Sequence, residues 1–335
     1  MMAHDYPAKF IHFGLPKCGS TFLQNVWGVD DQYTGVSLAK AANAARQLAL
    51  TDNAANLPRV DLGARARVGT SLVASAEGFS WAYLGRPAEQ DRIADLHRLA
   101  ARMTGQVAIA PVALFMVRNP VGWIRSTHEQ VIRRGDHDTG QAYLVKHRTL
   151  IERVLDLHHI REVFGQHFER VVFLSSDEMR DQPDQFWDRY EAELDVLRPA
   201  RQSIERVTES ERHSNASLQD RMVPMARMNR VLSGIMDAWA GIEGAPPTIE
   251  KEREVFGGSF DKARVWAARR VSEYSSADQI EALLGGAFAE MTDGFTDLPL
   301  DGALKSHLRR HFCDVIDTQD TIPEAMKDSY RAALA

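Results

Sequence analysis

The stretch Phe10-Ile11-His12-Phe13-Gly14-Leu15-Pro16-Lys17-Cys18-Gly19-Ser20-Thr21-Phe22-Leu23 decides the fold. Its first four residues form a short apolar run closed by a glycine, the pattern of a strand buried in a sheet. Gly14 to Gly19 read as a tight loop. Ser20 and Thr21 then open a helix whose apolar residues Phe22, Leu23, Val26 and Trp27 recur on one face. Strand, glycine loop and helix start together make an anion cradle. The first N–H groups of a helix lack partners inside it, and its dipole favours negative charge at that end. Lys17 and the two hydroxyls add donors. The nucleotide-hydrolase version of such a loop is Gly-x4-Gly-Lys-Ser/Thr. Gly14 and Gly19 have that spacing, but Ser20 stands in the lysine's place and the lysine is inside the loop at 17.

A second segment has the same logic. Val112 to Val117 reads as a buried strand ending at Arg118. Asn119 suits a helix N-cap and Pro120 the first helical position. Val121, Ile124, His128, Val131 and Ile132 follow at helical spacing. Arg118 therefore stands at the carboxyl end of a strand, where α/β sheets bind ligands, and Ser126 lies on the helix that follows.

The displaced lysine brings a resemblance into view. Pro16-Lys17-Cys18-Gly19-Ser20-Thr21 resembles the Pro-Lys-Ser/Thr-Gly-Thr/Ser-Thr loop of sulfotransferases that use 3′-phosphoadenosine 5′-phosphosulfate (PAPS). In that family the loop holds the 5′-phosphosulfate. Cys18 departs from the usual Ser or Thr and keeps only the backbone N–H of that position. Residues 112–135 resemble the family's 3′-phosphate segment, an Arg at a strand end followed by Pro, Arg and Ser. The resemblance thus implies that Arg118 and Ser126 hold a 3′-phosphate, and that Lys17, Cys18, Gly19, Ser20, Thr21 and Phe22 line the phosphosulfate. Lys17, the one cation inside the loop, is assigned to the bridging or leaving oxygen. No residue seen here requires a metal.

Ser71-Leu72-Val73-Ala74-Ser75-Ala76-Glu77 also resembles a Ser-x-Glu segment of many bacterial and carbohydrate-type sulfotransferases, placed beside the donor. That match implies Glu77 as the base that takes the acceptor's proton. A glutamate complementing a helix dipole, or a partner orienting Lys17, explains the residue otherwise. Cytosolic small-molecule members use a histidine base, and no histidine stands near this strand. The spacing of His128 turns it toward the core, and His12 lies inside the first strand. Ser175-Ser176-Asp177-Glu178 follows a later strand, where relatives often carry an acidic residue, although a turn and helix cap explain it equally well. Arg212 to Ser217 reads as a polar N-cap cluster or a loop returning to the nucleotide. His307 and His311 have i,i+4 metal spacing without an evident third ligand.

Composition sets outer limits. The chain has 335 residues, enough for a large core, and carries 40 basic and 46 acidic residues for a net charge of −6. No nucleic-acid partner is implied, so positive charge for a nucleotide must be local. No apolar run is long enough to span a membrane, and the N-terminus lacks the pattern of a secretory signal. Two cysteines, Cys18 and Cys313, make no disulfide framework, and a reducing, cytoplasmic setting is expected.

Alternating strands and helices predict an α/β fold with a mainly parallel sheet of P-loop nucleotide-kinase-like type, flanked by helices. Core strands are expected at Phe10 to Phe13, Val68 to Ala74, Val112 to Val117 and Val171 to Leu174. A long helix is expected over 141–164, carrying Leu144, His147, Ile151, Val154, Leu155 and His158 on one face and stopping at Gly165. Residues 28–67 read as helix and loop. Residues 1–200 would form the PAPS-binding core, and 201–335 a helical portion completing the same domain as a cap or an oligomer surface. There, Leu218, Met222, Met225, Val231, Leu232, Ile235, Met236 and Trp239 recur at helical spacing with Pro224 as a kink, and further helices are expected over 260–274, 278–291 and 300–317. The expected activity is sulfonate transfer from PAPS to a small-molecule or carbohydrate acceptor, through a hydroxyl of a sugar, lipid or natural product. An ATP-dependent kinase-like phosphotransferase and a non-catalytic nucleotide-binding protein on the same fold are the other readings. A thermal-shift comparison of adenosine 3′,5′-bisphosphate with magnesium ATP separates them.

Overall fold

Strand β1 (Phe10–Gly14) is the middle strand of the sheet, and every one of its residues is buried. The computed structural model describes residues 7–51, 57, 60, 62, 67–80, 87–105, 109–211, 218–240, 268, 270–271, 273–291 and 294–335. In chain order, β1 is followed by α1 (Ser20–Val29), β2 (Tyr33–Ser37), α2 (Ala39–Thr51), β3 (Ser71–Ser75), a 3-10 turn (Glu77–Phe79), α3 (Pro87–Gln90), α4 (Ile93–Gly105), β4 (Val112–Val117) and α5 (Pro120–Arg133). Next come α6 (Gly140–Lys146), α7 (Arg148–Val154), α8 (Leu157–Gly165), β5 (Arg170–Ser175), α9 (Ser176–Asp181), α10 (Pro183–Leu194) and α11 (Arg201–Glu211). The rest is α12 (Met222–Ala240), α13 (Ala277–Leu284), α14 (Gly302–Leu308), a π turn (Arg309–Cys313), α15 (Asp314–Asp317) and α16 (Glu324–Ala333).

The protein is α/β, with a five-stranded sheet in the order β2-β3-β1-β4-β5. All its pairs are parallel: Phe10 pairs with Val73 and Val112, Tyr33 with Ser71, and Val112 with Arg170. The chain groups into two compact units, one of Met1–Trp123, His147–Arg212 and Asp301–Ala335, the other of Ile124–Lys146 and His213–Leu300.

The first unit holds the sheet. Phe10 and His12 meet Trp27 of α1 on one face of β1, and Trp27 donates to the Tyr190 hydroxyl of α10 at 2.9 Å. Phe13, on the opposite face by strand alternation, meets Phe115, Phe164 and Phe168 at ring distances of 5.5, 4.6 and 5.6 Å. A strand covered on both faces reads as a continuous apolar run, as this one does.

The expected helix over 141–164 is instead α6, α7 and α8. Gln90 explains the first break. Its buried amide carbonyl accepts from Leu150 N–H at 3.3 Å, and its amide nitrogen lies 3.1 Å from His147 Nδ1. A side chain from elsewhere thus satisfies the start of α7. Asp156 makes the second break by capping α8, accepting from His159 N–H at 3.0 Å. His158, expected on the apolar face, is exposed, while α8 stops at Gly165 as anticipated. Strand β2, missed in the 28–67 stretch, is an edge strand, and β3 starts at Ser71 because Val68 sits fully exposed at a turn with Gly69 at φ 79°. α16 also lies outside the expected helices.

The second unit is helical. Ile132, Leu218, Met222, Met225, Ala226, Ala268, Ile280 and Phe295 form its core. Pro224 falls in the first turn of α12, where its missing N–H costs nothing, so no kink is needed. α13 ends at Leu284 with Gly285 at φ 56°, so 278–291 is not one helix. His128 is packed against Tyr143 at 4.7 Å, its Nε2 is 2.9 Å from the Asp138 carbonyl, and burial lowers its pKa. The cluster at 212–217 and most of 260–274 lie outside the described residues.

Candidate functional site

Parallel strands put their carboxyl ends on one edge of the sheet, and the functional groups of the first unit collect there. The ends of β3, β1, β4 and β5 are neighbours in the sheet. At about 4.8 Å per strand the four ends span roughly 15 Å. They deliver Glu77, the 15–19 loop, Arg118, and Ser176 with Asp177, in that order.

The loop after β1 is fixed from several directions. Leu15 N–H donates to the Met116 carbonyl at 2.9 Å, and Trp123 Nε1 donates to the Pro16 carbonyl at 2.8 Å. Lys17 adopts φ 64° and Gly19 φ 81°. Gly19 is the N-cap of α1 and has no side chain, so no side-chain acceptor caps that helix. The missing side chain has a packing reason too: a Cβ on Gly19 would lie 2.5 Å from Met179 Cε of α9. Ser20 is buried, and its hydroxyl donates to the Leu15 carbonyl at 3.1 Å. Thr21 is exposed on the first turn and Phe22 is half-buried.

Glu77 comes against this loop because Gly14 permits it. A Cβ on Gly14 would sit 2.5 Å from Ser80 Oγ and 3.4 Å from Glu77 Cβ. Burial pushes the Glu77 carboxyl above the usual carboxylate range, while the Lys17 charge and the nearby Ser20 hydroxyl pull the other way. A carboxylate held near a cation yet short of water keeps a raised proton affinity, a property suited to a base.

Arg118 is half-buried and folds over the start of α5. A Cβ on Gly122 would lie 3.3 Å from its Nε. Asn119 Oδ1 accepts from Val121 and Gly122 N–H at 3.1 and 3.2 Å, so α5 is capped internally. Asp177 faces the same corner: its Oδ2 accepts from Asn119 N–H at 2.6 Å, and its Oδ1 lies 3.9 Å from Arg118 Nε and 3.3 Å from Arg180 Nη2. Cys18 is buried in the 15–19 loop. Burial drives its thiol pKa up, and the charges of Arg118, Asp177, Glu77 and Lys17 all act on it. Lys17, Cys18, Glu77 and Arg118 are therefore brought together. Ser126 is half-buried on α5, four residues after Gly122 and so on the same side of that helix.

Two residues here escaped a firm reading in the sequence. Asp177 had only its position after a strand to mark it. Tyr330 of α16 had no signal at all, yet its buried hydroxyl lies 2.7 Å from Ser175 Oγ and feels the Asp177 charge. His12 is a buried neutral ring, with Nδ1 2.9 Å from Ser75 Oγ and a pKa lowered to about 3 by burial. His311 Nδ1 lies 3.2 Å from Asp156 Oδ1 and His307 Nε2 lies 3.2 Å from the Glu152 carbonyl. Among the described residues no cluster of three or more His, Cys, Asp or Glu could hold a metal, and no helix is long and apolar enough to cross a membrane. The chain matches no known protein family and no functionally characterised protein.

Proposed function

We propose that this protein is a sulfotransferase that moves a sulfonate group from PAPS to an acceptor hydroxyl. The observation that carries the reading is the convergence of Lys17, Glu77 and Arg118 at neighbouring strand ends beside a helix that no side chain caps. A phosphosulfate fits such a helix start, because an anion can accept from first-turn N–H groups that nothing in the helix satisfies. The sheet is read as the P-loop-like type, with the donor on its carboxyl edge.

Each residue then has a task. The N–H groups of residues 18–22, with the Thr21 hydroxyl, hold the phosphate and sulfonate oxygens. The Ser20 hydroxyl, turned inward to Leu15 and Glu77, braces the loop. Arg118 grips the 3′-phosphate with a planar fork suited to bidentate contact. Glu77 takes the proton of the acceptor hydroxyl as the acceptor oxygen bonds to sulfur. The bond from sulfur to the bridging oxygen breaks, Lys17 neutralises that oxygen, and adenosine 3′,5′-bisphosphate leaves. A preaimed donor at a developing anion supplies about 2.7–4 kcal/mol in enzymes where this has been measured.

The test is ligand binding. Adenosine 3′,5′-bisphosphate should bind without metal and more tightly than 5′-AMP, and at about 100 times its Kd it should stabilise the fold by about 2.7 kcal/mol. Equal affinity for the two nucleotides by calorimetry removes the basis of the reading, and stabilisation by magnesium ATP alone replaces it with a phosphotransferase.

A further inference from the structure

The proposed activity assigns no task to Asp177 or to the last helix of the chain, yet both reach the Arg118 corner. Asp177 is only 6% exposed and faces two arginines and one backbone N–H. A carboxylate in that position needs a role, because burying its charge costs free energy unless its partners are held in place.

The last helix reaches Asp177 through Tyr330, whose buried hydroxyl feels the Asp177 charge. The Tyr330 hydroxyl lies 2.7 Å from Ser175 Oγ, and Ser175 Oγ accepts from Glu178 N–H at 3.1 Å. Tyr330 is 1% exposed, so this contact is shielded from water. Further contacts hold α16 and the turn before it in register. Asn119 Nδ2 donates to the Ser329 carbonyl at 3.4 Å, and the Thr321 hydroxyl donates to the Phe173 carbonyl at 2.7 Å.

The geometry at Arg118 is one-sided. Asp177 faces Nε, while the remaining four of the five guanidinium N–H donors belong to the terminal nitrogens. Gly122 leaves the space in which the guanidinium lies flat over the start of α5. With the Asp177 carboxylate on its Nε side, the side chain keeps its terminal fork for another anion.

We propose that Asp177, with the Tyr330 hydroxyl of α16 packed beside it, is the positioning residue that orients Arg118 toward the 3′-phosphate of the donor. This inference rests on the sulfonate-transfer reading above. It gives the C-terminal helix a part in recognising the nucleotide, although α16 lies far from the loop in sequence.

The experiment compares adenosine 3′,5′-bisphosphate with 5′-AMP by calorimetry on the full chain, in wild type, Asp177→Asn and Tyr330→Phe. Asparagine keeps an oxygen for Asn119 N–H and removes the charge. The expected result is a loss of about tenfold in bisphosphate affinity for Asp177→Asn, with 5′-AMP affinity changed less than about twofold. Tyr330→Phe should shift the ratio the same way by a smaller factor. A brace that merely supports the fold would weaken both nucleotides together, and that outcome overturns the inference. So does an Asp177→Asn protein that keeps its preference or binds the bisphosphate more tightly. Should Asp177→Asn fail to fold, Tyr330→Phe decides the matter by the same ratio. A wild-type protein with no preference for the bisphosphate refutes instead the sulfonate-transfer reading on which the inference stands.

Discussion

The two helices that start at this edge of the sheet treat their first N–H groups in opposite ways. At α5, Asn119 folds back and accepts from Val121 and Gly122, which satisfies that end internally. At α1, the residue in the same position is Gly19, which offers no side-chain acceptor. A capped end cannot serve an incoming anion, so recognition at the β4–α5 corner passes to a side chain, Arg118. An uncapped end can, and the β1–α1 corner supplements it with Lys17. On the proposed reading, the difference separates two tasks. Fixed backbone donors suit an oxygen whose charge grows during reaction, since they need no reorganisation. An arginine fork suits a phosphate whose charge stays constant.

The largest effect should come from the β1–α1 side. Glu77→Gln should lower the chemical step by roughly 10²–10⁴-fold while donor affinity stays near wild type. The raised pKa of Glu77 places the acidic limb of the pH–rate profile above the ordinary glutamate range, and the glutamine variant should lack that limb. Single-turnover transfer to an acceptor found by screening, with donor affinity measured separately, checks both points. Stability should move the other way. A carboxyl whose folded pKa is raised costs stability above its unfolded pKa, increasingly so until the folded pKa is passed. Glu77→Gln should therefore melt higher than wild type at neutral pH and lose that advantage near pH 4.

Lys17→Ala should come next, with turnover down by roughly 10²–10³-fold and donor affinity weakened as well. If only affinity falls, Lys17 is a ground-state anchor like Arg118, and the contrast between the corners collapses. Arg118→Ala should weaken bisphosphate binding by roughly 10- to 100-fold and leave the step in the saturated enzyme within a few-fold of wild type. A variant with normal affinity and poor turnover would reverse the assignment of the two corners.

The smallest effect concerns the cap itself. Asn119→Ala should cost about 1 kcal/mol of stability, seen as a drop of about 1–2 °C in Tm, without changing the preference for the 3′-phosphate. A strong loss of that preference would place Asn119 in the binding site and not only in the helix start.

Much of this edge was legible in the sequence because it is built locally. Strand β1, its loop and α1 are contiguous, as are β4, Arg118 and α5, and local propensity and spacing report such units well. What escaped depends on contacts distant in the chain. Strand β2, Tyr-Thr-Gly-Val-Ser, is a half-exposed edge strand with only two apolar residues, so it lacks the signature of a buried strand. The apolar stripe over 141–164 is real, yet Gln90, some sixty residues upstream, interrupts it with hydrogen bonds that no spacing rule foresees. Asp177 looked like an ordinary acidic residue of a helix start because its partners, Arg118 and Tyr330, sit on other elements. Ser20 read as a phosphate donor from its position alone, whereas its burial turns the hydroxyl inward.

That inward serine limits how the loop can be re-engineered. Position 20 is where a nucleoside-triphosphate-hydrolysing loop carries its lysine. Here the site is 2% exposed and its hydroxyl is tied to the Leu15 carbonyl. Ser20→Lys would have to place an ammonium and a four-carbon stem where one hydroxyl fits, and would cut the tie that closes the loop. Changing the donor chemistry of this scaffold therefore calls for a redesigned loop from Gly14 to Thr21, with Met179 trimmed or moved, and not for one exchanged side chain.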